Sequence, residues 1–254
     1  MKLKSKEEIE IMREGGKRHA EILRMLTDFV EPGISTLTLE TEARRLIKEG
    51  GDRPAFLGYT PSRAKRAFPA ALCVSVNNEI VHGIPNEKPR VLHEGDIVSL
   101  DLGLVHKGLI TDAAITVPVG AVDDEARRLI EVAEGALKEG IKAAQPGARI
   151  GDIGYAISMF VKQTNFTLAE NLAGHGVGYA VHEEPFIPNV GERGKGGELV
   201  SGMVIAIEPM VNAGTGKIKL SKDGYTIYTR DGKKSAHFEH TVAITEKGNI
   251  ILTQ

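Results

Sequence analysis

The sequence predicts an α+β fold in which two similar halves are related by a pseudo-two-fold axis. Two observations predict it. A pair of helical segments interrupted by a Pro-Gly step occurs twice, at Pro32-Gly33 and at Pro146-Gly147. After each pair, an apolar strand-like run ends in a carboxylate. These repeats predict one domain with halves of about residues 1–120 and 121–254, in which two helix pairs cover antiparallel strands.

Each helix is predicted from the spacing of its apolar residues, which recur every three or four positions. The segments with this spacing are 9–30, 39–47, 126–144 and 150–160. Ser35 or Thr36 can cap the second segment, because a side-chain oxygen there can accept a hydrogen bond from a free backbone N–H. Asp123 and Asp124 begin the third segment.

The strand segments repeat as well. In the first half, "VHGIP" (81–85) corresponds to "VHEEP" (181–185) in the second half. In the same way, "LHEGDIVSLD" (92–101) corresponds to "LVSGMVIAIE" (199–208). Short helical patterns often resemble one another by chance. Matched strands that end in an acid are less common, and they favour an internal duplication.

The first half contains an unusual predicted hairpin, "SLDLGLVHKGLITDAA" (99–114). If His106 and Lys107 form its tip, Asp101 lies directly opposite Asp112 on the same face. Like charges directly opposed across a strand pair are destabilising, and removing a carboxylate from water is costly unless it is paired or bound to a metal. A positive partner is therefore expected between them.

The second half offers a similar pair, Glu208 and Glu239. They are separated by a longer segment, residues 209–238, which we call the excursion. Any one of the four carboxylates, taken alone, is more often a surface or structural residue. As a symmetric set on apolar strands, they predict two divalent ions bridged by shared carboxylates. His175, among glycines, is a candidate ligand, although a single histidine is more often structural. One imidazole in an oxygen-rich shell favours Mn, Fe(II) or Co.

His82 and His182 hold equivalent places in the repeat, each three residues before a proline. Beside a metal centre, the two imidazoles could shuttle protons or stabilise an oxyanion. The alternative is that each caps a turn. Four other histidines are interpreted as surface or structural residues: His19, His93, His106 and His240.

The bulk composition narrows the function classes. The formal net charge is −2, without the basic excess that specific nucleic-acid binding would suggest. Cys73 is the single cysteine, so an intrachain disulfide is impossible and a reducing compartment is expected. No signal-peptide core and no run of about 18 apolar residues is present. A cytoplasmic protein without membrane association is expected.

These residues, in their order along the chain, resemble the methionine aminopeptidases of the bacterial-like type I form. The resemblance covers nearly the whole chain. The motifs that carry it are His82 in "VHGIP", Asp101 and Asp112, His175 in "GHGVG", His182 in "HEEP", Glu208 in "IEPM" and Glu239 in "FEHT". It implies the pita-bread fold, with a curved antiparallel sheet, in a single catalytic domain that removes N-terminal methionine.

The resemblance also implies a ligand set for two divalent ions, which are Co, Mn, Fe(II) or Zn. Asp112 and Glu239 bridge the two ions. Asp101 completes the shell of one ion, and His175 and Glu208 complete that of the other.

A mechanism and partners follow from the same resemblance. A bridging water or hydroxide attacks the first peptide bond, and Glu208 accepts a proton. His182 stabilises the oxyanion, His82 contacts the scissile amide, and the substrate amine binds near the ion of Asp101. The implied partners are nascent polypeptides with an N-terminal methionine, together with the exit region of the ribosome. A monomer is expected.

The resemblance further implies an apolar pocket for the methionine side chain. Its wall includes Tyr59, Phe68, Cys73, Met210 and Tyr225, with His82 and His182 at the scissile bond. Plain core packing is the alternative interpretation for the aromatic residues. Three features depart from the family pattern: Tyr225 replaces the Trp of many relatives, His237 near the pocket replaces the Gln of many bacterial relatives, and the loop 60–67 is longer.

Three rival functions fit parts of the pattern. An X-Pro aminopeptidase or prolidase would share the fold, but such relatives usually carry an additional N-terminal domain, which is not expected here. A non-catalytic peptide-binding relative would have lost metal ligands, whereas all five are present. A dinuclear phosphoesterase would need basic residues near the metals, and Lys107, at a turn, is a poor candidate.

Overall fold

Residues 2–61 and 64–254 are described by a computed structural model. The four predicted helices are present in these residues: α1 (Lys6–Asp28), α2 (Thr36–Glu49), α3 (Asp124–Ala143) and α4 (Ile150–Val161). Ser35 caps α2 and Asp123 caps α3, as their spacing predicts. Part of the predicted loop insertion, residues 62 and 63, lies outside the described residues.

The strands are short except for two of ten residues each. In chain order they are β1 (Arg53–Pro54), β2 (Leu72–Val76), β3 (Glu79–Val81), β4 (Ile97–His106), β5 (Leu109–Pro118), β6 (Thr167–Leu168), β7 (Ala173–Gly176), β8 (Glu183–Pro188), β9 (Val204–Ile207), β10 (Met210–Asn212), β11 (Ile218–Leu220), β12 (Ile227–Thr229), β13 (Ser235–His237), β14 (His240–Thr245) and β15 (Gly248–Ile251). All of their pairings in the described chain are antiparallel.

Two larger sheets hold the residues of interest. In the first, β4 pairs with β5 along one edge and with β2 and β1 along the other. In the second, the strand order is β15-β14-β9-β7-β8. Two smaller three-stranded sheets, β13-β10-β6 and β11-β12-β3, come largely from the excursion between β9 and β14.

Each helix pair covers the strands of its own half. Apolar residues of α1 and α2 form one buried cluster with β2 and β4, while those of α3 and α4 form another with β9 and β14. We propose that this arrangement reflects the internal duplication predicted from the sequence. No helix of the described chain combines the length and apolar character needed to cross a bilayer.

The register of the β4–β5 hairpin corrects one prediction. Asp101 pairs with Ala114, and Asp112 pairs with Gly103, so the two carboxylates are diagonal neighbours on one face rather than directly opposed. The central residues of the turn are Lys107 and Gly108, with φ of 48° and 87°. Positive φ at both positions is the type I′ geometry that suits a two-residue hairpin, and glycine adopts it without steric cost. The turn therefore lies one residue later than predicted.

A direct seam joins the two larger sheets. Ala114 of β5 and Glu239 exchange two backbone hydrogen bonds of 3.3 and 3.0 Å. Next to them, the Thr241 hydroxyl accepts a hydrogen bond from the Asp112 backbone N–H at 2.8 Å and donates one to the Asp112 carbonyl at 2.7 Å. The seam therefore fixes the backbone of two of the predicted metal ligands against each other.

His19 lies where α1 packs on this hairpin. Its Nδ1 is 3.0 Å from the Thr111 hydroxyl oxygen, and the residue is fully buried. Burial lowers the pKa of His19 from 6.5 to about 3, because a charged imidazolium would lose its hydration. Between these values the unfolded chain binds more protons than the native one, so stability falls as pH drops below about 6.5.

We expect His19 alone to reduce the free energy of unfolding by about 2 kcal/mol between pH 7 and pH 5. Urea unfolding of the metal-free protein at both pH values, compared with His19→Gln, measures this contribution. The exposed residue His93 provides the matched control, His93→Gln, which should retain the wild-type pH dependence. An unchanged pH dependence in His19→Gln would contradict the assignment.

Candidate metal centre and substrate cavity

A cavity of about 310 Å³ opens between the two larger sheets and the excursion. It brings together every predicted site residue except Met210. The predicted residues that line it are Tyr59, Phe68, Cys73, His82, Asp101, Asp112, His175, His182, Glu208, Tyr225 and Glu239. They come from both halves of the chain.

The strands position the acidic side chains. Asp101 lies within β4 and Asp112 within β5, Glu208 directly follows β9, and Glu239 lies between β13 and β14. His175 is in β7, with its Nε2 at 3.4 Å from Glu208 Oε1 and 3.9 Å from Asp112 Oδ2. The four carboxylates are therefore collected around the seam.

No lysine or arginine of the described chain forms an ion pair with any of these four carboxylates; their ionisable partners within 4.0 Å are histidines. Asp101 Oδ1, Asp112 Oδ1 and Glu239 Oε1 are buried and have no hydrogen-bond partner among the described residues. Buried polar atoms are normally paired, so each unpaired one calls for an explanation. A bound cation provides one.

Burial governs the protonation of this cluster. It raises the pKa of Asp101 to about 7 and that of Glu208 to about 8. Burial, reinforced by the neighbouring carboxylates, raises the pKa of Asp112 and Glu239 well above their usual range. Without cations, the cluster therefore favours its protonated forms near neutral pH.

The donor geometry fits metal ions. Two groups of three donors have ligand atoms that all lie within 4.8 Å of one another: Asp112, His175 and Glu239 in one, and Glu208, His237 and Glu239 in the other. Glu239 belongs to both groups, as a ligand that bridges two ions must. Carboxylate and imidazole donors suit Mn, Fe(II), Co and Zn. Asp101 lies outside both groups and pairs with Cys73 in the β2–β4 ladder.

His82 and His182 flank this cluster. The His182 ring contacts that of His175 at a centroid distance of 4.4 Å, and its Nδ1 lies 2.9 Å from the Tyr59 hydroxyl oxygen. Loss of hydration lowers the pKa of His82 to about 4 and also lowers that of His182. Both imidazoles are therefore neutral at physiological pH.

The chain passes close to β2 at His82 and Gly83. His82 has a positive φ of 59°, and Gly83 follows it. A Cβ on Gly83 would lie 2.2 Å from the Val74 carbonyl oxygen, so glycine is needed for the chain to pass this close to β2. The Gly83 carbonyl in turn accepts a hydrogen bond of 2.9 Å from the Val74 N–H.

The cavity wall is largely apolar. The Phe68 and Tyr225 rings meet edge to face at 5.1 Å. Phe56, Leu220 and Ile227 also line the cavity, although they were not among the predicted site residues. Their alternating apolar pattern is that of any strand or core residue, so it carried no signal for a cavity.

Met210 corrects the predicted wall. It is 1% exposed and packs in a separate buried cluster with Ile80, Val81 and Ala169. It begins β10 and pairs with His237 of β13, so it belongs to a sheet behind the cavity. Its position two residues after Glu208 does not bring it to the cavity surface.

His237 is more central than the sequence indicated. Its Nε2 lies 3.5 Å from Glu208 Oε2 and 3.8 Å from Glu239 Oε2. Its place two residues before Glu239 was visible in the sequence, but on a regular strand this spacing alone does not distinguish a ligand from a neighbour of the pocket.

A family model for metallopeptidase family M24 matches residues 10–246. The chain belongs to metallopeptidase family M24. Over 256 residues this M24 member is 46% identical to a methionine aminopeptidase from Aquifex aeolicus (strain VF5), with 100% of this chain and 99% of the relative aligned. Membership of this family means that the carboxylates and histidines lining the cavity belong to a metallopeptidase.

Solved structures agree with this assignment. A methionine aminopeptidase from Thermotoga maritima matches the M24 chain with a TM-score of 0.95 at 42% identity, covering 100% of this chain and 99% of that one. A prolidase from Pyrococcus furiosus shares the fold, with a TM-score of 0.77 at 24% identity, and the match spans 65% of its length. The predicted resemblance to methionine aminopeptidases and the predicted pita-bread fold are confirmed.

The raised pKa values predict that metal binding to this M24 chain releases protons, because ligands must be deprotonated. We expect Mn²⁺ affinity to increase from pH 6 to pH 8, with about one or more protons released per centre. Isothermal titration calorimetry in two buffers of different ionisation enthalpy counts the protons. An affinity that is independent of pH, with no proton release, would contradict this protonation state.

We expect Asp112→Asn to lower kcat/KM by more than roughly 100-fold. Substitution of residues that only orient metal ligands already lowers metal affinity or activity about 10–100-fold. Stability of the metal-free protein should change little or increase, because the substitution removes a buried carboxylate. Peptide hydrolysis and thermal unfolding measure the two effects. Asp28→Asn, on the exposed end of α1, is the control. Near-wild-type activity and metal content in Asp112→Asn would refute its role.

Proposed function

We propose that this chain removes the N-terminal methionine from polypeptides by hydrolysing the first peptide bond. The observation that carries the proposal is a buried cluster of carboxylates and imidazoles at the end of an apolar cavity. The names and full-length similarity of its relatives support the substrate class. The apolar wall suits a thioether side chain, and the polar end suits a peptide carbonyl.

We propose the following ligand roles for a two-ion centre. Asp112 and Glu239 would be shared by the two ions, Asp101 would complete the ligands of one ion, and His175 and Glu208 would complete those of the other. Divalent ions there supply Lewis acidity and lower the pKa of water. Co, Mn, Fe(II) and Zn all fit the donor types. Asp101 also provides negative charge for the α-amine of the substrate.

Glu208 is the proposed proton acceptor for the attacking water. Its carboxylate lies at the cavity surface, with one oxygen toward His175 and the other toward His237. Burial raises its pKa to about 8 in the metal-free chain, so Glu208 must lose its proton as cations bind before it can accept one from water. It can then pass that proton to the departing amine.

His182 is the proposed donor to the oxyanion. Burial raises the pKa of Tyr59, so its hydroxyl stays protonated, and we propose that it donates to His182 Nδ1, which lies 2.9 Å away. The ring proton then resides on Nε2, which is free to donate to a carbonyl oxygen as negative charge develops. His82, across the cavity, is the proposed contact for the scissile amide.

The physiological setting is also a proposal. The whole proposed ligand set comes from one chain, so a monomer suffices for activity. Nascent polypeptides that still carry their initiating methionine are the proposed substrates, met in the cytoplasm near the ribosome exit region. The domain as a whole, residues 1–254 with its two halves, forms the proposed catalytic unit.

The proposed function is tested by release of free methionine from a Met-Gly-Ser peptide. Metal-stripped protein is assayed with Mn²⁺, Co²⁺ or Fe²⁺ added back, alongside the Nα-acetylated peptide and an Ala-Pro peptide. We expect metal-dependent release from the free-amine methionine peptide alone. Cleavage of the Ala-Pro peptide instead would assign an X-Pro aminopeptidase, and no cleavage with any metal would reject the enzyme assignment.

A further inference from the structure

The His237 imidazole is a buried group for which the proposed ligand set has no role. The residue is 1% exposed, and neither Nδ1 nor Nε2 has a hydrogen-bond partner in the described part of the chain. An imidazole ring normally pairs at least one nitrogen when it is buried. The unpaired Nε2 lies toward the carboxylates of Glu208 and Glu239.

The backbone of His237 is held in place by its neighbours. The Thr116 hydroxyl accepts a hydrogen bond from the His237 N–H at 2.9 Å and donates one to the His237 carbonyl at 2.7 Å. On its other side, His237 pairs with Met210 in the β10–β13 ladder. The residue is therefore fixed from both sides, as a preorganised ligand requires.

The distances are those of donors around a shared ion. Nε2 lies 3.5 Å from Glu208 Oε2 and 3.8 Å from Glu239 Oε2, beyond the range of a good N–H···O hydrogen bond. Two donors that each bind one ion at about 2.1 Å are separated by roughly 3.0–3.4 Å at octahedral to tetrahedral angles. The His175–Glu208 separation of 3.4 Å, within the proposed ligand set, is of the same size.

We propose that His237 Nε2 is an additional metal ligand, which together with Glu208 and Glu239 gives the centre a second imidazole beside that of His175. The inference rests on the proposed two-ion centre but not on the methionine specificity. His237 belongs to β13 and His175 to β7, and their Nε2 atoms lie near the two different carboxylate oxygens of Glu208, Oε2 and Oε1 respectively.

A second imidazole changes which ions the centre prefers. Affinity for nitrogen and oxygen donor sites increases from Mn²⁺ to Co²⁺ in the Irving–Williams order, and Mn²⁺ is better served by oxygen ligands than by imidazole. Loss of the His237 ring should therefore weaken Co²⁺ binding more than Mn²⁺ binding. We expect His237→Gln to lower Co²⁺ affinity about 10-fold or more, with a smaller change for Mn²⁺.

Cobalt-edge X-ray absorption on the full-length protein, loaded with Co²⁺ from the metal-free form, counts the imidazoles directly. We expect two imidazoles per centre in the wild type and one in His237→Gln. Titration calorimetry with Co²⁺ and Mn²⁺ provides the affinities. His240→Gln is the matched control, because His240 lies three positions further along, where its Nδ1 is 2.9 Å from the Thr253 hydroxyl oxygen. The control should retain both imidazoles.

One imidazole per centre in the wild type would overturn the inference, whether or not His237→Gln folds. An unchanged imidazole count and Co²⁺ affinity in a folded His237→Gln protein would also overturn it. Neither result would contradict the proposed function, because methionine release is assayed separately. Failure of the wild type to bind Co²⁺ at all would reject both the inference and the metal centre.

Discussion

The structure depends on the seam between β5 and the chain around β14. Along it, Asp112 faces Thr241, Ala114 faces Glu239 and, two residues further along β5, Thr116 faces His237. At both ends a threonine hydroxyl bonds to the N–H and the carbonyl of the opposite backbone. The two sheets are thereby locked with carboxylates from both halves at their junction.

This junction concentrates charge where solvation is poor. Burying several carboxylates without basic partners opposes folding of the metal-free chain, and the raised pKa values of Asp101 and Glu208 express that cost. Proteins accept such local conflicts at functional sites when the surrounding core offsets them. Here the two helix-covered clusters supply the offsetting apolar burial.

Most of the fold could be predicted from the sequence because helix caps and apolar spacing act locally. The acids and histidines could be predicted as a metal-binding set because each follows or interrupts a recognisable strand, whereas the apolar cavity wall was predicted from the resemblance to methionine aminopeptidases. The register of the hairpin was mispredicted because the positive φ values at Lys107 and Gly108 moved the turn by one residue. Met210 was wrongly placed in the cavity wall, and His237 was predicted near the pocket but not among the candidate ligands. Met210 lies in β10 and His237 in β13, and the pairing of these strands joins segments far apart in the chain.

The excursion between Glu208 and Glu239 has a consequence for evolution. Leu220, Tyr225 and Ile227 of this segment line the cavity, yet β11 and β12 pair with β3 rather than with the strands of the seam. This part of the cavity wall therefore lies on strands other than those that carry the carboxylates. Drift within the excursion can redirect a lineage toward new substrates while the spacing of the carboxylates is inherited intact.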